Sequence, residues 1–524
     1  MLQFFNDHNV KVTKHMTSNL LMACTIIGTS VFAYGFDTAV LDTIQAMTPF
    51  EKRFGEFDPK TKKYGFSADH LAYFNSFPLI LFALGVIVAS QIGERFGRKA
   101  VLIIMNCICM SGIAVCYTSK TFGQILAGRM IIQMHVGMEA WCVPMFTAEI
   151  VPAAVRGRMV AFYTFNHIFA AFIASIVTNK TSTYKDDSSW QIPIICMFIW
   201  PAIVLLGAIL VPESPRWLLR RGQQEKASRN LQYLNGAVDG YSVEAEITLL
   251  NEALEASRMS KMGSWKELVR GPNLRRTMTG IVASACTQLT GQSFASQYGA
   301  IFLKSINVMD AFTATMIKRS FLVFGCLLVI FFIDRVGRRR FFLFFGSFSA
   351  ASLLAMGALG SISPATLEVK KGIVAMAMFF PFCYITAFAS TTTVVQAEVP
   401  HTTLRDKSMM VFWTFNNIFN FAATFTLPYL LKAPYANLQS RVGFIYGATS
   451  LLALIWGYFY LPDLKGRSLE EIDEMFEARV PARKSRGWKS SNAGAILTEL
   501  ENNPDGFTEA KLKQSEHLES SEKV

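Results

Sequence analysis

The chain has little charge for its length: Asp, Glu, Lys and Arg supply only 17% of its 524 residues. Hydrophobic residues supply 52%, aromatic residues supply 13%, and the mean hydropathy is +0.31. Soluble globular domains are typically about 25% charged, so this composition indicates a membrane protein. The net charge of +12 does not indicate nucleic-acid binding, because the basic residues form short clusters between apolar runs.

Enzyme and metal motifs are also missing from the sequence. The nine cysteines all lie in apolar stretches, and none forms a CxxC or a Cys/His metal spacing. We interpret them as small packing residues. The sequence has no nucleophile–base pair, metal cluster or phosphate loop, so we expect no enzyme activity, no cofactor and no bound metal.

The chain does contain a passage that occurs twice. Each copy has a Glu followed seven residues later by an Arg, and then an aromatic run with a Thr and an Asn; the copies are 148–169 and 397–419. Two further motif pairs keep the same order along the chain, the basic motifs 94–99 and 334–339 and the Pro-acid motifs 212–213 and 462–463. Such self-similarity in an apolar chain indicates a duplicated membrane bundle.

Apolar runs of about 20 residues predict membrane-spanning helices. We place twelve spans, near residues 20–41, 70–92, 100–118, 121–145, 159–178, 191–211, 277–303, 313–333, 341–361, 371–397, 409–431 and 441–461. The expected fold is an all-α polytopic membrane protein with two six-helix bundles, at 20–211 and 277–461. The rest is an N-terminus at 1–19, a linker with short helices at 212–276 and a tail at 462–524, which we expect to be disordered after about 485.

Basic residues predict the orientation of these spans. The loops 93–99, 156–158, 335–340 and 405–407 are basic and fall on one side with the linker, so that side is predicted to be cytoplasmic, with both termini. The one N-x-S/T sequon begins at Asn179 and falls on the other side, where glycosylation is expected. We expect a multi-pass protein of the plasma membrane.

Charged residues inside spans are costly, roughly 2.5–3.5 kcal/mol each, so they usually pair or line a cavity. Asp37 in span 1 and Arg129 in span 4 form the predicted pair, and we assign them to proton coupling. A static ion pair between two helices is the alternative. Glu139 in span 4 is a further candidate proton site, and His135 shares its helix face.

The solute site is expected near the membrane midplane, between the two halves. Span 7 is unusually polar there, and Gln288, Gln292 and Ser296 recur every four residues. Amides and hydroxyls suit a neutral polyhydroxylated ligand, although interhelical hydrogen bonds would also explain one or two of them. The predicted binding residues are Thr164, Thr287, Gln288, Gln292, Ser293, Tyr298, Asn416 and Asn420.

A second group of charges lies at the predicted cytoplasmic ends of the spans. We expect these residues to form charge pairs between the halves that close the cytoplasmic side when the protein opens outward; simple topology-setting charge is the alternative. The group comprises Arg95, Glu149, Arg156, Glu213, Arg216, Asp334, Arg335, Glu398 and Arg405.

Taken together, the motifs resemble the sugar porter family of the major facilitator superfamily. The matching segments are 35–37, 128–129, 149–157, 212–218 and 462–471, and the run 476–484 is similar to fungal members, especially α-glucoside permeases. The resemblance implies the major facilitator fold, and in proton-coupled relatives the positions of Asp37 and Arg129 form the coupling pair. The hexose contacts differ, however: family Gln positions fall on Thr164 and Thr287, a family Asn falls on Ser293, and a stacking Trp falls on Thr393.

The sequence therefore predicts a transporter that imports a sugar or sugar-like solute by proton symport and alternating access. A disaccharide, a sugar acid or another polyol-like compound fits the altered contacts better than glucose. A major facilitator carrier or exporter of a non-sugar metabolite is the first alternative, and a nutrient transceptor is a remote one. The expected partners are the solute, a proton and the lipid bilayer, with no nucleic acid, and the expected functional unit is a monomer.

Overall fold

Helices dominate the computed structural model, which describes residues 17–59, 62–151, 153–238, 241–244, 246–248, 250–251, 264–364, 366–401, 404–465 and 469–488. Within these ranges the strands are one short antiparallel pair, Glu56–Asp58 with Lys63–Gly65. The residues before 17 and after 488, including most of the tail that we expect to be disordered, lie outside the described part.

A helix occupies each of the twelve predicted span positions in the described chain. Eight spans are one continuous helix: Ser18–Ile44 (span 1), Arg98–Thr118 (span 3), Phe122–Ile150 (span 4), Ala153–Thr181 (span 5), Ala311–Val336 (span 8), Arg338–Leu359 (span 9), Arg405–Leu431 (span 11) and Val442–Tyr460 (span 12). The interrupted ones are span 2 (Ala68–Ser76, Pro78–Phe96), span 6 (Ser188–Met197, Ile199–Gly207), span 7 (Gly271–Leu289, Gln292–Ala295, Gly299–Ile306) and span 10 (Leu367–Tyr384, a π-helical turn Ile385–Ala389, Ser390–Glu398).

Eight of these spans are long and apolar enough to cross a membrane by length and composition; spans 4, 5, 7 and 11 are the more polar ones. These four carry nearly all the predicted site residues that lie within spans. Because a polar side chain facing lipid is costly, their polarity indicates that they line the interior of the protein. Apolar side chains of spans 1, 3, 4 and 6, among them Leu102, Phe146 and Val204, fill the core of the first half.

The halves are joined at one face of the molecule. We call the face where the described chain begins and ends the terminal face, and the other the opposite face. The hydrogen bonds and ion pairs between described residues that cross from one half to the other lie toward the opposite face. They join Lys304 to Glu51 (2.6 Å), Tyr429 to Asp69 (2.8 Å), Tyr298 to the Leu71 carbonyl (3.2 Å), Lys432 to the Phe66 carbonyl and Asn179 to Met316 (3.7 Å).

The linker and the tail both pack at the terminal face. The linker forms the helices Pro215–Arg220 and Gln224–Asn235 and a 3-10 turn at Trp265–Val269, and Trp217 donates to the Glu94 carbonyl of span 2 at 3.0 Å. The tail forms a helix at Leu469–Glu477, where Asp473 pairs with Arg276 of span 7, and a 3-10 turn at Ala482–Gly487. The first helix of the linker therefore packs on the first half and the tail packs on the second. The 3-10 turn of the linker packs on span 7, where Thr277 donates to the Leu268 carbonyl at 2.8 Å.

Candidate functional site

Asp37 lies in a closed polar cluster inside the first half. Its side chain is fully buried, and the Cys109 thiol of span 3 donates to Oδ2 at 3.3 Å. The Asp37 carboxylate, the Cys109 sulfur and a ring nitrogen of His135 from span 4 lie within 4.8 Å of one another. Asp37 Oδ1 and His135 Nε2 have no hydrogen-bond partner among the described residues, so each can still accept a hydrogen.

The expected pairing of Asp37 with Arg129 is wrong in this structure. Arg129 instead binds Asp42, with Nη2 to Oδ1 at 2.8 Å, and donates to the Leu41 carbonyl at 3.0 Å. The cause is the lean of side chains toward the N-terminus of their own helix. Spans 1 and 4 run in opposite directions, so Arg129 leans toward the opposite face, where Asp42 lies near the end of span 1, while Asp37 leans away.

Glu139 lies apart from this pair. It is fully buried, and Tyr163 of span 5 donates to its Oε2 at 3.0 Å, while Oε1 has no partner among the described residues. His135 occupies the same helix but points to span 3, where its Nδ1 contacts the Met105 carbonyl at 3.0 Å. Since a carbonyl only accepts, Nδ1 carries the hydrogen and Nε2 is the free acceptor.

A polar site forms where span 7 meets spans 10 and 11. Gln288 donates to Asn416 at 2.9 Å, and the Thr287 hydroxyl contacts that of Thr392 at 2.7 Å. Ser293 contacts Thr424 at 2.8 Å, and Thr424 in turn donates to Asn420 at 3.1 Å. These contacts bring together five predicted residues with two, Thr392 and Thr424, that the sequence analysis did not select.

Three amide oxygens in span 7 are buried with no partner among the described residues, those of Gln288, Gln292 and Gln297. Buried acceptors are nearly always satisfied by protein, water or ligand. The span itself is broken at Thr290–Gly291, where Gly291 has φ +102°. The expected continuous stripe of Gln288, Gln292 and Ser296 is therefore interrupted, because the helix restarts at Gln292.

Tyr298 and Thr164 stand at the margins of this site. Tyr298 is 1% exposed, and its hydroxyl lies 3.2 Å from the Leu71 carbonyl of the first half and from the Thr424 carbonyl of the second. It thus belongs to the contact between halves. Thr164 is half-buried on span 5, and no described hydrogen bond connects it to span 7 or span 11.

The repeated motifs form ion pairs inside each half rather than between the halves. Arg98 binds Glu149 through two hydrogen bonds of 2.9 Å, and Arg338 binds Glu398 at 2.8 Å. The halves touch at the opposite face in this structure, so the pairs between the halves that are expected when the protein opens outward stay a prediction. The arginine that forms the pair is Arg98 rather than the predicted Arg95 in the first half, and Arg338 rather than the predicted Arg335 in the second half.

The arginine that pairs is the one directly after the glycine of each motif. Gly97 (φ +97°) and Gly337 (φ +98°) turn the chain, so Arg98 and Arg338 open spans 3 and 9. Arg95 and Arg405 are exposed, Arg216 is half-buried, and the side chains of Arg156, Asp334 and Arg335 lie outside the described part. In both repeated basic motifs the paired arginine comes immediately after the glycine. This position was the sequence signal that could have identified it.

Glu213 closes the turn at Gly97. Its Oε1 accepts from the backbone N–H of Arg98 at 2.9 Å and its Oε2 from that of Lys99 at 3.2 Å, at the start of span 3. Burial raises the pKa of Glu213, and these amide donors oppose the rise. In the second half the Asp463 carboxylate packs against Gly337, so each Pro-acid motif places its acid beside the glycine turn of its own half.

Gly97→Ala is expected to lower the thermal stability of the detergent-solubilised protein. An alanine at φ +97° is strained by roughly 1–3 kcal/mol, and its Cβ would collide with the Glu213 carboxylate. Gly222→Ala is the matched control, since Gly222 has φ +72° and open space around it. An equal loss in melting temperature for both variants would show that the carboxylate collision contributes nothing.

Asn179 lies in the last turns of span 5 rather than in the loop that follows. It is half-buried, and its amide contacts Met316 of span 8 at 3.7 Å. The acceptor of the predicted glycosylation site is thus packed between two spans in this structure, because the helix extends through Thr181.

A cavity of about 760 Å³ opens at the opposite face, lined by residues that include Lys52, Lys185, Lys304 and Asp310. None of the predicted binding residues lines it. It lies on the side where the halves touch, so it is separate from the polar site of spans 7, 10 and 11.

Comparison with known proteins gives a consistent result. Residues 21–476 match the family model described as "Sugar (and other) transporter". The hexose transporter HXT9 of Saccharomyces cerevisiae is 27% identical over 489 residues, covering 90% of this chain and 85% of the relative. Hexose transporter 2 of Kluyveromyces lactis is 27% identical over 506 residues, covering 93% and 88%.

Solved structures support the fold. The inward open conformation of the xylose transporter XylE from E. coli matches with a TM-score of 0.70 at 18% identity, over 87% of this chain and 99% of that one. The major facilitator proton:xylose symporter XylE bound to 6-bromo-6-deoxy-D-glucose matches with a TM-score of 0.67 at 20% identity, over 88% and 99%. The predicted major facilitator fold is confirmed.

Proposed function

The chain belongs to the sugar (and other) transporter family, and from that premise we propose that it imports a sugar or sugar-like solute by proton symport. It is a transporter and not an enzyme. The relatives named above are hexose transporters, and the structural relative is a proton:xylose symporter, which supports both the solute class and the coupling ion.

The observation that carries the solute class is the polar site of spans 7, 10 and 11. Gln288, Gln292 and Gln297 have buried amide oxygens without described partners, beside hydroxyls of Thr287, Thr392 and Ser293. A polyhydroxylated solute supplies the donors that these oxygens lack. A broken helix beside the solute is also the arrangement common in transporters of this kind.

The terminal face is taken as the cytoplasmic face, with both chain ends and the linker in the cytoplasm and the protein in the plasma membrane. The basic loops at that face support this orientation. Contacts between the halves then close the outside, and the protein stands in an inward-facing state. The two bundles, 20–211 and 277–461, move against each other around the solute, within one monomer.

Asp37 is assigned the coupled proton. It is fully buried, it lacks an arginine partner, and its Oδ1 and the neighbouring His135 Nε2 are both available to share a hydrogen. Arg129 holds Asp42 in this state, and exchange of Arg129 between Asp42 and Asp37 would link protonation to movement of the bundles. Glu139, which is buried beside Tyr163, is a second proton site.

Uptake of a labelled panel by yeast that lacks its own sugar carriers tests this function. The panel holds glucose, xylose, maltose, lactose, cellobiose, galacturonate and quinate, each with and without an uncoupler. Accumulation of one member that the uncoupler abolishes supports proton symport. Absence of uptake of every member, with the protein detected at the cell surface, would contradict the proposal and favour a carrier of another metabolite.

Gln288→Ala is expected to raise the KM for the transported solute about 5- to 30-fold, the equivalent of about 1–2 kcal/mol. The change removes an amide at the polar site and leaves Asn416 without its donor. Asn417→Ala is the matched control, because Asn417 is half-buried on the same helix and its described side-chain hydrogen bond is to the Trp413 carbonyl of that helix. A KM that Gln288→Ala leaves unchanged would exclude Gln288 from the site.

A further inference from the structure

Span 8 carries two adjacent cations in its interior, Lys318 and Arg319. They lie about 12 Å along the helix from its start, at 1.5 Å per residue, and their exposed fractions are only 2% and 8%. Neither residue belongs to a motif of the sequence analysis. Two neighbouring buried cations are expensive in a membrane span, and such residues usually mark a binding pathway.

Span 8 lies at the interface of the halves. Lys318 Nζ packs against Gly299 of span 7, so close that a side chain at Gly299 would collide with it. Span 8 also packs along span 5 of the first half. Lys318 and Arg319 therefore lie on a helix that meets span 7 of its own half and span 5 of the other half.

The buried acids of the first half do not bind Arg319 in the described contacts. Asp42 Oδ1 binds Arg129 at 2.8 Å. The other buried acids of the first half have contacts elsewhere, Asp37 with Cys109 and Glu139 with Tyr163. Nε of Arg319 is buried and has no hydrogen-bond partner among the described residues.

We propose that the solute is a polyhydroxylated carboxylate, a sugar acid or cyclic polyol acid, whose carboxylate binds Arg319 and whose hydroxyls bind the polar site of spans 7, 10 and 11. The inference rests on the proposed function and narrows its solute class. A carboxylate supplies a counter-charge for the Arg319 guanidinium and matches its planar geometry. The buried amides of span 7 recognise the hydroxyls.

This solute class changes how the driving force acts. A neutral solute carried with one proton moves one positive charge, so its uptake gains about 2.3 kcal/mol from a 100 mV potential. A monocarboxylate carried with one proton moves no net charge. Its accumulation then follows the pH gradient alone, about tenfold per pH unit, and does not depend on the membrane potential.

The test uses the full chain purified into liposomes, with the potential set by potassium and valinomycin and the pH gradient set separately. The labelled probes are galacturonate, gluconate and quinate on one side, and glucose and maltose on the other. We expect one of the acids to accumulate with the pH gradient and to be insensitive to the potential. Potential-dependent accumulation of a neutral sugar, with no acid uptake, overturns this inference and leaves the proposed function standing. If none of the five probes is taken up, both this inference and the proposed function are overturned.

Substitution of Arg319 identifies the residue that binds the carboxylate. Arg319→Gln is expected to raise the KM for the acid about 10- to 100-fold. Arg319→Lys keeps the charge and should retain more of the uptake. Lys371→Gln is the matched control, because Lys371 is an exposed cation whose described ion pair is with Glu368 of the same helix. An unchanged KM in Arg319→Gln overturns the assignment of the carboxylate to Arg319. If that variant does not fold, Arg319→Lys tests the assignment, and the potential-independence of the unmodified protein still tests the solute class.

Discussion

Asp37→Asn is expected to abolish accumulation of the solute against its gradient while leaving solute exchange across the membrane intact. In the unmodified protein the ratio of inside to outside solute concentration should reach about tenfold per unit of pH gradient. In the variant the two concentrations should become equal. Counterflow in liposomes measures exchange, and uptake under an imposed pH gradient measures coupling.

The physical reason is the neutral cluster around Asp37. Its partners are a thiol at 3.3 Å and a nearby imidazole, and the arginine expected beside it is bound to Asp42. An asparagine fills the same volume and keeps an acceptor for Cys109, so folding should be little affected. It cannot take up or release a proton, so only the coupling step is lost.

Asp42→Asn provides the contrast. The same change at Asp42 removes the acid that holds Arg129 and leaves this buried cation without its ion-pair partner. We expect it to reduce exchange and surface expression as well as accumulation. If Asp42→Asn uncouples transport selectively and Asp37→Asn does not, the proton site is Asp42 and the present assignment is wrong.

The helices and the duplication could be predicted because they depend on patterns that extend over many residues. Apolar runs of about 20 residues identify spans wherever they fall, and three repeated motifs fix the order of the halves. Breaks inside spans were harder to place. Span 7 has a Gly291 whose positive φ interrupts the helix, and a single glycine in an apolar run is also compatible with a continuous one.

Partner choice among charges could not be predicted because it depends on side-chain direction. Asp37 and Asp42 are both acids of span 1, and only the opposite lean of spans 1 and 4 selects Asp42 for Arg129. Arg95 and Arg98 are also close in sequence, but the turn at Gly97 lies between them, so only Arg98 pairs with Glu149 in the described contacts. Lys318 and Arg319 were missed for another reason: an average over an apolar span hides two charges within it.

Arg98→Gln is expected to destabilise the protein by about 3–5 kcal/mol, measured as the free energy of unfolding in mixed micelles. Arg98 is 2% exposed, binds Glu149 through two hydrogen bonds of 2.9 Å, and donates a third to the Gly93 carbonyl at 2.9 Å. Glutamine leaves the Glu149 charge buried and uncompensated, and that penalty is the main part of the loss.

Two comparisons separate this cause from a general loss of packing. Arg338→Gln changes the corresponding residue of the second half, where the exposed fractions of the paired side chains are 10% and 24% rather than 3% and 10%. Solvent screening should make its effect smaller. The double variant Arg98→Gln with Glu149→Gln removes both charges, so it should lose less stability than the sum of the single variants. Strict additivity would mean that the buried ion pair is not the source of the loss, and that Arg98 stabilises the turn between spans 2 and 3 by packing and backbone contact alone.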